Sequence, residues 1–378
     1  MKHYHYIFTG TGLSALMTVY EMVVSGKFKD QSMLLIDENP KKTNDRTWCF
    51  WEDANTFDAI VSTSWKTALF ADSDFERELD LAPYQYKMIR GIDFYQMVFD
   101  RISLEPNIDF VLQKVIDFEE LGHHCLVKTE THNFTCNKIF NSIFNPEMVR
   151  SQSKYPLLQQ HFIGWFVKSK TPVFNPNRAT FMDFSVAQKG NTRFMYVLPF
   201  SETEALVEYT LFSKDLLVTA EYETAIQDYL QKLGINEYEI IEKERGSIPM
   251  TSFPFWERNT KNILHIGSAG GWTKASTGFT FKNTVRKSKA LVQFLSIETD
   301  FTKFHKKDKF WYYDLLFLDV LDRRNDLGHI IFSSLFRSGE PNVIFKFLDE
   351  QTSLSEDLQV IWKCPKALFI RALLKRIF

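Results

Sequence analysis

The run Gly10-Thr11-Gly12-Leu13-Ser14-Ala15 constrains this chain more than any other stretch. It follows an apolar, strand-like segment, HYHYIFT at residues 3–9. It opens an apolar-periodic segment that reaches Gly26, a residue suited to end a helix. A second buried strand, SMLLID, then finishes at Asp37. This is the start of a βαβ unit bearing a GxGxxG/A fingerprint. Gly10 permits the tight turn, Gly12 lets backbone approach a pyrophosphate, and Ala15 is small enough for the helix to pack on the strand. The helix N-terminus, with Thr11 and Leu13 beside it, offers free N–H groups to phosphates. Asp37 is placed to accept hydrogen bonds from a ribose diol and to repel a 2′-phosphate. A ligand-free strand–helix turn would also use the first glycine. The second strand ending in an acid favours a dinucleotide.

Further along, NPKKTNDRT reads as a polar loop, residues 93–104 as a helix and IDFVLQKVIDFEE as strands around a turn. From 165 to 213 the pattern changes to GWFVKSK, RATFMDFSVA, TRFMYVLPF and ALVEYTLFS, split by KGN and SETE turns. These runs predict an antiparallel meander. Residues 219–234 read as a helix, NILHIG as a strand, and the chain after 300 as mostly helical. The order is explained by a sheet inserted into a dinucleotide-binding α/β domain. The expected cofactor domain is 1–62, 92–150 and 255–300, the inserted sheet domain 63–91 and 151–254, and the helical region 301–378.

A chain of 378 residues is too long for one compact core, which agrees with this division. Its net charge of −2 leaves no basic excess that would point to nucleic acid. Cys49, Cys125, Cys136 and Cys364 form no CxxC pair, and no His cluster has metal-ligand spacing. No metal is expected, and free thiols in a reduced, cytoplasmic setting fit best. The N-terminus lacks the pattern of a signal peptide. No apolar run approaches the ~18 residues that span a bilayer. The expected protein is soluble or lies on a membrane without crossing it.

The fingerprint by itself does not separate NAD from FAD. The stretch ILHIGSAGGWTKASTGFTF, residues 263–281, adds another strand, Gly-rich turn and helix start. Gly267, Gly270, Gly271 and Gly278 are four of only 15 glycines in the chain. A second loop of this kind brings backbone N–H groups to an elongated cofactor, which suits FAD better than NAD.

Several longer segments are more specific. DRTWCFW (45–51), QQHFIGWFV (159–167), MDFSVAQKGNTRFMYVLPFSETEALVEYT (182–210), GSIPM (246–250) and HIGSAGGWTKASTGFTF (265–281) resemble the lycopene β-cyclase family. So do DLLFLDVL and VIFKFLDEQTSLSEDL in the tail. The resemblance implies the flavoprotein monooxygenase and reductase fold, with FAD as cofactor. It implies a linear carotenoid substrate whose open ends become β-rings, lycopene giving β-carotene through γ-carotene. The reaction is an isomerisation without net redox change, yet the flavin must be reduced, with NAD(P)H as an indirect reductant. The resemblance adds Arg46 and Ser268 to the cofactor contacts. The family's catalytic carboxylate lies in a short acidic motif before a threonine. VEYT matches it, so Glu208 inherits the role. Tyr209 stands where a second acidic residue is often found, and Ser268 where related flavoproteins often have Asp.

Glu208 shares a strand face with Leu206 and Phe212. One reading is an exposed sheet-edge glutamate. The other is an acid kept neutral by burial, able to protonate an alkene. If SETE closes the hairpin as a four-residue loop, Leu198 faces Val207 and Val197 faces Glu208. Trp48, Phe50, Trp51, Tyr196, Tyr209 and Trp272 are candidates for an aromatic lining that steadies a carbocation. The same residues could serve as ordinary core. The tail KALFIRALLKRIF mixes basic and apolar side chains, as an interfacial helix or a packed terminal helix would. Two other functions remain open: a flavin monooxygenase or dehydrogenase of another isoprenoid, and a non-enzymatic flavin or carotenoid binder.

Overall fold

The computed structural model describes residues 1–377. The chain begins with β1 (His3–Thr9), α1 (Leu13–Ser25), β2 (Met33–Asp37), β3 (Thr47–Glu52), β4 (Val61–Trp65), β5 (Thr67–Ala71), β6 (Glu76–Asp80) and β7 (Gln85–Arg90). It continues through α2 (Gly91–Ile102), β8 (Ile108–Leu112), β9 (Val115–Leu121), β10 (His124–Thr129), β11 (Asn133–Asn141) and α3 (Pro146–Arg150). Next come β12 (Leu158–Ser169), β13 (Arg178–Asp183), β14 (Thr192–Pro199), β15 (Glu204–Ser213), α4 (Thr219–Lys232), β16 (Tyr238–Met250) and β17 (Ile263–His265). Helices close the chain: α5 (Phe281–Phe294), α6 (Lys309–Arg323), α7 (Gly328–Ser338), α8 (Pro341–Leu348), α9 (Leu354–Lys363) and α10 (Lys366–Ile377).

The first sheet runs β8-β2-β1-β11-β10-β9, with β17 also on β11. Its strands β8, β2, β1, β11 and β17 are parallel, as βαβ connections require. Strand alternation splits the side chains of β1. Tyr6 and Phe8 pack with α1 and α5, while Ile7 packs with Cys125, Val127 and Cys136 on the other face. The left-handed Gly26 closes α1 at the expected residue.

The second sheet is β16-β12-β15-β14-β13-β5-β6. It is not a pure meander, because β13 and β5 are parallel. The 13-residue β16, unanticipated from sequence, pairs along the whole of β12. Segment 63–91 also divides: β5 and β6 extend this sheet, while β7 joins β3 and β4 in a separate three-stranded sheet. The β14–β15 hairpin differs from expectation by one residue. Val197 faces Val207, and Tyr196 faces Glu208. The N–H groups of Phe200 and Ser201 both donate to the Glu204 carbonyl, which shortens the turn and sets the register.

One face of the second sheet, with Trp165, Val197, Val207, Tyr209 and Leu211, is covered by α4. The other, with Phe166, Phe194, Leu198, Leu206 and Phe212, packs toward the C-terminal helices. Those helices are tied to the second glycine loop by buried Lys274. Its ammonium donates to Asp314 on α6 at 2.8 Å and to Glu350 at 3.2 Å. Replacing Lys274 with Met strands the buried Asp314 carboxylate and leaves Glu350 with Arg286 alone. The expected cost is about 3–5 kcal/mol, read as a lower urea midpoint on chemical unfolding.

Candidate active site

Both glycine loops open onto one cavity of about 440 Å³. Gly12, Leu13 and Ser14 line it from the first turn of α1, whose N-terminus has no side-chain cap. Free N–H groups of that turn therefore face a phosphate-sized position. Gly10 packs against Ser142, behind the turn. Asp37 accepts the Thr11 N–H at 2.6 Å and the Thr11 hydroxyl at 2.8 Å. Its other oxygen accepts the Asn39 N–H at 2.8 Å. Thr11 and Lys41, whose ammonium lies 3.7 Å away, fix the carboxylate at the end of β2, and Gly10, Thr11 and Asp37 lie outside the cavity lining.

The second loop supplies Gly267, Ser268 and Gly278 to the lining. Gly267 has φ +60°, and a Cβ there would lie 2.4 Å from the Ser14 hydroxyl. Gly278 has φ +74°, and its added Cβ would lie 1.9 Å from Gln160 Oε1. These two glycines bring the loop against α1 and β12. Gly270 and Gly271, expected at the cofactor, lie outside the lining and pack on the His265 carbonyl and Phe255. Arg46 and Lys41 join the wall from the loop after β2. Gln160 Oε1, Thr277 Oγ1 and Thr284 Oγ1 belong to residues lining the cavity and have no hydrogen-bond partner among the described residues. Orphaned polar atoms beside two glycine loops and an uncapped helix fit the polar edges and phosphates of a flavin dinucleotide.

The same cavity reaches Glu208, which is only 7% exposed. The Thr210 hydroxyl donates to its carboxylate. Burial pushes the Glu208 carboxyl up to about 8, with the charge of Glu244 adding to the rise and Thr210 opposing it. Sequence reasoning missed Glu244. It lies on β16, half-buried, and accepts the Thr47 hydroxyl at 2.8 Å. Burial raises this carboxyl also, and the Thr47 bond is the strongest opposing effect. Gly164 of β12 stands opposite both Glu208 and Glu244. A Cβ on Gly164 would meet Leu206 Cδ1 at 2.8 Å, Glu244 Cγ at 3.2 Å and Glu208 Cβ at 3.5 Å. The missing side chain leaves the two carboxylic groups a shared space. The alternation Glu242, Glu244 in β16 was visible in the sequence, but nothing there named β12 as its partner strand.

The aromatic candidates divide. Trp48 and Tyr196 line the cavity, and the Tyr196 hydroxyl meets that of Tyr86 at 2.5 Å. Burial raises both phenols well above their ordinary range, and the neighbouring Cys49 thiol to about 12. Four expectations are corrected. Phe50 stacks on Phe281 at 4.6 Å between centroids, and Trp51 packs edge-on to Phe279 at 4.7 Å. Trp272 lies in the core near Phe304. Tyr209 points to the opposite sheet face, where its hydroxyl accepts from Arg193 at 3.1 Å. Each fills a core, the commoner use of an aromatic ring. Phe181, Phe194, Phe279 and Phe332 supply the apolar wall in their place.

The arrangement has known counterparts. A flavoprotein/dehydrogenase from Cytophaga hutchinsonii superposes with TM-score 0.66 at 12% identity, covering 99% of this chain and 100% of that one. The flavin-dependent brominase Bmp2 gives 0.63 at 13% identity, covering 99% of each. A geranylgeranyl bacteriochlorophyll reductase-like protein from Thermoplasma acidophilum gives 0.61 at 10% identity, covering 98% of each. The fold is that of the flavoprotein monooxygenases and reductases.

The chain belongs to the lycopene cyclase protein family, whose family model matches residues 6–374. Lycopene beta-cyclase of Pantoea ananas is 23% identical over 299 residues, 74% of this chain and 71% of that protein. Lycopene beta-cyclase of Paracoccus sp. (strain N81106 / MBIC 01143) is 30% identical over 131 residues. That alignment spans about a third of the Paracoccus protein, 32% of each chain.

Gly267→Ala tests the loop. Strain of ~1–3 kcal/mol at a left-handed residue is expected to weaken FAD binding roughly tenfold or more. Quenching of flavin fluorescence on titration reads the change, with circular dichroism checking the fold.

Proposed function

We propose that this chain is an FAD-dependent lycopene β-cyclase, an isomerase that closes the linear ends of lycopene into β-rings. The observation that carries the reading is one buried carboxyl, Glu208, without an ion-pair partner among the described residues, in the cavity onto which both glycine loops open, where burial pushes it up to about 8. An alkene is a very weak base, so its acid must be neutral and dry. Glu208 meets both conditions, with Leu206, Leu198 and Tyr196 around it.

Gly12, Leu13, Arg46, Gly267, Ser268 and Gly278 are the proposed cofactor contacts. Reduced FAD, once bound, supplies negative charge beside the cavity. NAD(P)H is the proposed indirect electron source. Proton transfer from Glu208 to the terminal alkene leaves a tertiary cation. Trp48, Tyr196, Phe181 and Phe279 offer ring faces to it, each worth roughly 0.5–2 kcal/mol depending on desolvation. None of these side chains traps a cation as a strong nucleophile would, and the raised phenol and thiol stay neutral.

A carotenoid partner places the protein at a membrane, as a peripheral and cytoplasmic enzyme. No helix among the described residues is long and apolar enough to cross one. On α10, Ile370, Leu373 and Leu374 are exposed beside Lys366, Arg371 and Lys375, with no acidic residue in the helix. This mixture suits an anionic lipid surface. Leu358 and Trp362 of α9 are exposed on the rim of a second, apolar groove. Leu335 separates that groove from the inner cavity and lines both.

The assay is anaerobic, with purified protein, chemically reduced FAD and lycopene in liposomes. Cyclic product without net consumption of reductant is expected. Glu208→Gln is expected to lower the rate by about 10²–10⁴-fold while retaining FAD. Stoichiometric use of oxygen or NADPH would instead mark a monooxygenase or dehydrogenase. FAD or lycopene binding without turnover would mark a carrier.

A further inference from the structure

The geometry points to Glu244 as the base of the same reaction, paired with Glu208 across Gly164 and returning to it the proton taken from the ring. The inference rests on the cyclase reading. Three observations place the pair together. Glu208 and Glu244 both line the cavity. They lie on the two strands flanking β12, each opposite Gly164. A single added carbon on Gly164 would crowd Leu206 and Glu244 and touch Glu208, so the glycine leaves open the space between the two acids.

The surroundings of the two acids differ in a way that assigns their roles. Glu208 receives one hydroxyl, from Thr210, and forms no ion pair among the described residues. Glu244 receives the Thr47 hydroxyl and feels Arg46 and Arg90, against Glu242 on its own strand. Cys49, Tyr86 and Tyr196 complete the ionisable lining near Glu208 and are neutral. One proton shared by the pair therefore resides on Glu208, and the charge on Glu244.

The circuit balances. The Glu208 O–H breaks and its proton forms a C–H bond at the terminal alkene. The π electrons of the inner double bond form the ring C–C bond. The ring C–H then breaks, its electrons become the ring double bond, and Glu244 takes the proton. Transfer from Glu244 to Glu208 resets the pair. No electron leaves or enters, so the flavin ends as it began.

Two measurements test this. First, carboxyl bands of wild type, Glu208→Gln and Glu244→Gln are followed by infrared spectroscopy against pH, with no substrate present. Coupled acids titrate in two separated steps in the wild type, and each variant collapses them to one. In Glu244→Gln the remaining step moves down, because the negative neighbour is gone. Two independent, unshifted steps would overturn the pairing even if cyclisation is observed.

Second, the rate of lycopene cyclisation is measured against pH. The wild type is expected to give a bell, falling at high pH as Glu208 loses its proton and at low pH as Glu244 gains one. Glu244→Gln is expected to lose the acid limb and about 10²-fold in rate, and Glu244→Asp to restore the limb. An unchanged bell in Glu244→Gln would remove the base role. Separated titration steps with no cyclic product from the wild type would overturn the cyclase reading and the base role with it, leaving only the coupled pair.

Discussion

A buried carboxyl without a cation is the constraint on which this site depends. Several other buried acids are offset by a lysine. Glu52 has Lys87, Asp314 has Lys274 and Asp357 has Lys309. Among the described residues no cation forms an ion pair with Glu208 or Glu244. An unpaired carboxylate as buried as Glu208 is strongly disfavoured, and Glu208 responds by holding its proton, whereas Thr47, Arg46 and Arg90 ease the charge on the less buried Glu244. Stability and chemistry thus call for the same protonation state, and a neutral acid is what an alkene needs.

Every layer around that carboxyl serves to keep it dry. On its far side, α4 covers the second sheet with Tyr222, Ile226 and Leu230. On its near side, aromatic side chains from β13, β14 and α7 close the cavity. The two glycine loops approach from the first sheet, and Lys274 ties one of them to α6. Glycine acts here through absence. Gly267 and Gly278 let backbone come close, and Gly164 leaves a gap between two acids. A Cβ at any of these positions would meet an atom already there.

Much of the fold was legible before any coordinates. The first βαβ unit, the Asp37 terminus, the inserted-sheet strands between 165 and 213 and the helical tail follow from local patterns of two, three and four residues. The face of Glu208 was also legible, because alternation along one strand is independent of its neighbours. The hairpin register was not. A turn one residue shorter moved Tyr196 opposite Glu208 in place of Val197. The aromatic lining was half legible. Trp48 and Tyr196 reach the cavity, whereas Phe50, Trp51, Tyr209 and Trp272 look alike in sequence and fill cores.

The amino-acid order by itself determined the dinucleotide fingerprint, the acid at 208 and the strand that carries it. These are properties of short segments, set by steric and periodic rules acting over a few residues. Only the tertiary structure decided that β16 lies along β12, about 80 residues away in the chain at Gly164 and Glu244. That pairing brings a second carboxylate to the first. Strand partners so distant are chosen by burial of whole faces and by closure of long loops, and no local pattern encodes them.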